Sequence, residues 1–91
     1  MSGPEWREAA RADLLSIVSY IAEDNPDAAQ RLVDEIRGKT GRLPEHPKLY
    51  RSGRVVGTRE MVCGNYVIVY AETEERIVIL RVLHGRQEWP R

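Results

Sequence analysis

Apolar residues in this chain recur with two different periods. From about Arg7 the spacing is helical: Ala10, Leu14, Ile17 and Ile21 form one stripe, Val18 flanks it, and Arg7, Glu8, Arg11, Asp13 and Glu23 take the other side. That predicts an amphipathic helix ending near Glu23. Asp24-Asn25-Pro26 then breaks the pattern and restarts it. Asn25 suits an N-cap, Pro26 the first helical position, and Asp27 the positive end of the helix dipole. A second helix follows with Ala29, Leu32, Val33 and Ile36 on its apolar stripe; Gly38 and Gly41 weaken its end and Pro44 closes it. So short a connection predicts an antiparallel helix hairpin.

After a polar connector, Glu45 to Gly53, the period becomes two. The runs Arg54–Cys63, Tyr66–Tyr70 and Ile77–His84 are rich in β-branched residues and separated by short polar turns, Gly64-Asn65 being the first. In the first run Val56, Thr58, Glu60 and Val62 share one face, and Gly57, Arg59, Met61 and Cys63 the other. The middle run is apolar on both faces, as a covered central strand would be. The last is the most hydrophobic, with Arg81 expected to point the same way as Ile77, Ile79 and Leu83. Ser2 to Trp6 can add a short N-terminal strand, which Pro4 restricts to a sheet edge. The expectation is an α+β domain spanning 1–91, its helix hairpin packed on one face of an antiparallel meander. The other face is left as a concave surface carrying arginines, a plausible anion site.

Composition narrows the function classes. Ninety-one residues allow one small domain with a thin margin of stability. No Phe is present, so the core must be mostly Val, Ile, Leu and Ala. A lone Cys63 excludes an internal disulfide or a Cys-rich zinc site and fits a reducing compartment. Neither a signal peptide pattern nor a membrane-length apolar run is present, which leads to the expectation of a soluble cytoplasmic protein. Formal net charge is zero, but residues 1–47 carry a net of −3 and residues 48–91 a net of +3. Twelve arginines against two lysines suit forked recognition of phosphate or carboxylate.

Glycine-rich phosphate loops, paired-Cys spacing and the Gly-x-Ser-x-Gly elbow are all missing from the sequence, and no metal or cofactor is implied. What remains is Arg59, Arg81, Arg86 and His84. An arginine within a strand either snorkels to the sheet edge or faces a partner charge. For Arg81 that partner would be Glu60 or Glu72; Arg59 is expected on the open face. Phosphodiester chemistry would need a base, an acid and cations for the phosphorane charge. His84 with Arg59 and Arg81 could supply these in part, and only His46 or Glu45 offers a second acid/base. Trp89 either folds back to pin the tail or serves a partner as a hot spot.

Three segments in this order resemble the RelE/ParE superfamily of bacterial type II toxins, most closely its ParE branch. They are Gly53-Arg-Val-Val-Gly-Thr-Arg-Glu60, Tyr66-Val-Ile-Val-Tyr70, and Ile79-Leu-Arg-Val-Leu-His-Gly-Arg-Gln-Glu-Trp-Pro90, with Asp24-Asn25-Pro26 between the helices. The resemblance covers nearly the whole chain. It implies a toxin neutralised by a cognate antitoxin, reaching operator DNA only through that antitoxin, with no membrane partner. Members of the ParE kind poison DNA gyrase and need no catalytic residues of their own. Members of the RelE kind cut mRNA on the ribosome, and Arg59, Arg81 and His84 fall near the positions their chemistry uses; the C-terminal tyrosine of RelE is missing, since no Tyr follows Tyr70. The expected function is therefore gyrase inhibition, with Arg54, Arg59, Arg81, His84, Arg86 and Trp89 as the target- or partner-binding set. The other readings are a ribosome-dependent mRNA endonuclease and an inactive toxin fold that serves only as a binding module in a repressor complex.

Overall fold

The computed structural model of the chain describes residues 3–74, 76–87 and 89. Helices α1 (Glu8–Asp24) and α2 (Pro26–Thr40) form where the helical period placed them, with Asn25 alone between. Asn25 serves both. Its N–H donates to the Ile21 carbonyl at 2.9 Å and closes α1, while its side-chain oxygen accepts the Ala28 N–H at 3.0 Å and opens α2. α2 runs past Gly38 to Thr40, whose buried hydroxyl donates to the Ile36 carbonyl at 2.8 Å.

Among the described residues five strands form one sheet: β1 (Glu5–Trp6), β2 (Arg51–Ser52), β3 (Arg59–Cys63), β4 (Tyr66–Thr73) and β5 (Arg76–His84), in the order β1-β5-β4-β3-β2. The meander β3-β4-β5 is antiparallel as expected, but β1 pairs with β5 in parallel, so the sheet is mixed. The first sheet strand also begins later than the alternation suggested. Arg54–Thr58 is a loop, and the preceding connector contributes the two residues of β2, paired antiparallel to β3. Gly57 explains the interruption: its φ of +86° lies in the left-handed region, where an extended strand cannot continue.

Both helices cover one face of this sheet. Ile68 and Tyr70 of β4, Met61 and Cys63 of β3, and Ile77, Ile79 and Val82 of β5 are buried there against Ala10, Ile36 and Leu43. β4 is central and buried on both sides, from Val67 to Tyr70. The second face is not left open. Val67, Val69 and Leu83 are buried on it, with Trp89 and Leu80 packed over them. That overturns the expected concave arginine surface, because valines and a tryptophan close it.

One irregularity decides where the arginines go. Val69 pairs with Arg81 and Tyr70 with Ile79, so Leu80 has no partner on β4. This bulge adds one residue and reverses the side-chain alternation beyond it. Ile77 and Ile79 face the helices, whereas Arg81 and Leu83 belong to the opposite face. The expectation that all four share a direction fails at Leu80.

Candidate functional site

Arg81 leaves the bulge at the sheet margin. β1 occupies that margin only as far as Ile79, whose carbonyl accepts the Arg7 N–H at 2.9 Å as α1 departs. Beyond it the β5 edge would be bare, and α1 fills the gap with Asp13. The Asp13 carboxylate accepts Arg81 Nε at 2.7 Å, Arg81 Nη2 at 3.0 Å and the Val82 N–H at 2.9 Å. This is a forked pair with an edge donor added, and the hydrogen bonds from Arg81 to Asp13 raise the guanidinium's pKa further. On its other side the guanidinium carbon lies 5.9 Å from the Trp89 ring centroid. Arg81 is therefore ion-paired, but to Asp13 and not to Glu60 or Glu72.

Asp13 does not lie on the polar side of α1 with Arg7, Glu8, Arg11 and Glu23, but turns toward β5. It lies three residues after Ala10 and four before Ile17, within the apolar stripe. A carboxylate at such a position signals a buried or half-buried cation opposite it. That signal was present in the sequence and would have found the pair.

Arg54 is also committed. Glu60 stands on β3 with its side chain 1% exposed, and its carboxylate accepts the Arg54 N–H at 2.9 Å, Arg54 Nε at 3.3 Å and Arg51 Nη2 at 3.3 Å. Burial pushes the Glu60 pKa up, but the Arg54 N–H and guanidinium, with Arg51, outweigh it and hold the carboxyl below its ordinary value. The cluster fastens the loop 53–58 and β2 to the sheet.

Arg59 pairs across from Tyr70 and so lies on the helix side, not on the open face. Its Nη1 donates to the Tyr50 carbonyl at 2.7 Å, while the Tyr70 hydroxyl donates to the Pro47 carbonyl at 3.0 Å. Together these bind the connector over that end of the sheet.

His84 closes β5 opposite Tyr66, ring edge to face at 5.5 Å. Its Nδ1 accepts the Arg86 N–H at 3.1 Å and its own N–H donates to Gln87 Oε1 at 2.9 Å. The histidine thus shapes the turn after β5. Arg86 is exposed on that turn. Trp89 folds back onto the sheet, its indole nitrogen buried with no hydrogen-bond acceptor among the described residues.

These groups do not converge. Arg59 is opposite Tyr70 and His84 opposite Tyr66, four residues along β4 and on strands either side of it. Ordinary strand dimensions put their Cα atoms roughly 16 Å apart. Buried Met61 and Ile68 occupy the same face between them. Arg81 lies on the other face with its charge met by Asp13. Cys63, expected as core, is buried, and burial together with nearby Glu35 pushes its thiol up to about 11, far from a reactive thiolate. Among the described residues no helix is long and apolar enough to cross a membrane.

Comparison with known proteins agrees with this architecture. Residues 5–89 match the family described as the ParE toxin of the type II toxin–antitoxin system parDE. Y4kP of Sinorhizobium fredii, a toxin by name, is 39% identical, the match covering 93% of this chain and 90% of that protein. The toxin RelE2 of Caulobacter vibrioides is 32% identical over 88% of this chain and 91% of its own length. A structure of the chromosomal ParDE toxin–antitoxin system of P. aeruginosa superposes with a TM-score of 0.79 at 22% identity, covering 92% of this chain and 96% of that one. By fold, by family profile and by the identity of its relatives, this chain belongs to the ParE toxin family of type II toxin–antitoxin systems within the RelE/ParE superfamily.

Proposed function

We propose that the chain is held inactive by a cognate antitoxin and, once free, arrests growth by binding DNA gyrase rather than by cutting RNA. The observation that carries this reading is the dispersal of the nuclease candidates. Arg81 is neutralised by Asp13, Arg59 is tied to Tyr50 at the far end of β4, and His84 hydrogen-bonds only its own turn among the described residues. General acid–base cleavage needs an acid, a base and cations around one phosphate. A toxin that grips a protein needs none of them.

The antitoxin has a suitable seat on the helix pair. A cleft of about 360 Å³ there is lined by Trp6, Leu14, Leu15, Val18 and Val33, with Arg11 and Arg37 beside them. Leu15 is 68% exposed, a large apolar side chain without cover. An apolar antitoxin segment with carboxylates at its flanks matches this lining in both polarity and charge.

Expression without an antitoxin separates the mechanisms. Growth arrest is expected to persist in His84→Ala, with no ribosome-phased mRNA cleavage in either protein. Cleavage present in the wild type and abolished in His84→Ala would establish the endonuclease instead. A wild-type chain that causes no arrest would leave only the binding-module role.

A further inference from the structure

Between β2 and β3 the loop 53–58 contributes little to either core, yet it is firmly fastened. Gly53 N–H donates to the Thr58 carbonyl at 2.7 Å, and the Thr58 N–H and hydroxyl donate to the Val55 carbonyl at 3.1 and 2.7 Å. Arg54 adds its N–H to the buried Glu60 carboxylate. A Cβ on Gly53 would stand 2.2 Å from Thr58 Oγ1, so only glycine permits this closure.

At the tip, Val56 is 99% exposed. Single exposed apolar residues are ordinary on protein surfaces. Loop tips, however, usually carry Gly, Asn, Asp or Ser, and this one displays a β-branched apolar side chain on a fixed base. Its surroundings are equally specific. Among the described residues, a cleft of about 490 Å³ beside it is lined by Lys48, Arg54 and Arg59, against the single carboxylate of Glu72. Among the described residues no carboxylate lies within ion-pair distance of Lys48 or Arg59.

We propose that this loop is the surface through which the toxin grips its protein target. Val56 enters a small apolar socket, and Lys48 and Arg59 meet carboxylates on the rim of that socket. The inference rests on the reading above that the target is a protein. A nucleic acid fits less well, because the apolar tip would project ahead of the cations and hold a phosphate backbone away from them. The division of labour is that of an interface with a buried anchor and a charged rim, the anchor giving affinity and the rim orientation.

The test compares wild type, Val56→Ala, Val56→Glu and Val56→Lys by the inducer level needed for growth arrest, with antitoxin binding and thermal unfolding of each purified protein alongside. Val56→Glu and Val56→Lys are expected to need about tenfold more protein, the scale of loss for charging an apolar anchor. Val56→Ala should fall between, and all should unfold and bind antitoxin as the wild type does. A Val56→Glu protein as toxic as the wild type would overturn the inference, as would one that loses antitoxin binding while staying folded. Stronger arrest in Val56→Lys with weaker arrest in Val56→Glu would mark a nucleic-acid surface and overturn it too. Gyrase inhibition by the wild type is measured in parallel. If gyrase is untouched yet the charged variants lose arrest, the loop stands and the identity of the protein target changes.

Discussion

Glu60 and Asp13 each tie together more of this molecule than Arg86 or His84 on the turn after β5. A carboxylate that is 1% exposed would be prohibitive alone, and Arg51 and Arg54 with the Arg54 N–H make it tolerable. Replacing Glu60 by Gln keeps the shape and removes the charge, and should cost about 1–3 kcal/mol at pH 7 by urea unfolding. Because the folded pKa lies below the ordinary 4.5, the stabilisation is present above that value and lost as pH falls through the folded pKa. The gap between wild type and Glu60→Gln should therefore hold from pH 7 to about pH 5 and narrow in more acid solution. A gap that is unchanged at pH 3 would show that the charge contributes nothing. Asp13→Ala leaves Arg81 half-buried without its partner and the Val82 N–H unmet. A loss of about 2 kcal/mol is expected, with Arg81→Ala on top of it adding far less than it costs alone, as a double-mutant cycle would register.

At the level of elements, the helices and the meander were legible because their periods are unambiguous and their punctuation is explicit. Asn25-Pro26 could only be read one way. The bulge was not legible: Ile77–Leu83 is apolar at every position but Arg81, and nothing local says that Leu80 is the extra residue. It becomes necessary only once β4 sets the register on one side and Asp13 claims the Val82 N–H on the other. The loop 53–58 was hidden similarly, since Val55 and Val56 read as strand until Gly57 adopts its positive φ. These two irregularities displaced the candidate site. They put Arg81 on the face away from Ile79 and turn Arg54 toward Glu60. The helix pair offers its own check. Leu15→Glu alters an exposed side chain on α1 and should leave thermal unfolding nearly unchanged while weakening antitoxin binding by about tenfold or more. Unchanged antitoxin binding in that variant would move the antitoxin's seat elsewhere.

The whole molecule is a two-layer slab, 40 × 32 × 21 Å, with one layer of helix over one of sheet. On so thin a body the functional surfaces are distributed, not gathered in a pocket. The helix cleft is apolar with two arginines, and the loop beyond β2 pairs an apolar tip with cations. The turn after β5 holds His84 and Arg86 in a fixed shape. Such a distribution suits a protein recognised by other proteins, one to restrain it and one as its target. The direct measurement is ATP-dependent supercoiling by purified gyrase in the presence of this chain, with and without antitoxin. Supercoiling should fall as the chain is added, cleaved DNA–gyrase complexes should accumulate, His84→Ala should act like the wild type, and antitoxin should restore activity. Supercoiling that is unaffected at concentrations where the same preparation cleaves ribosome-bound mRNA would contradict the account.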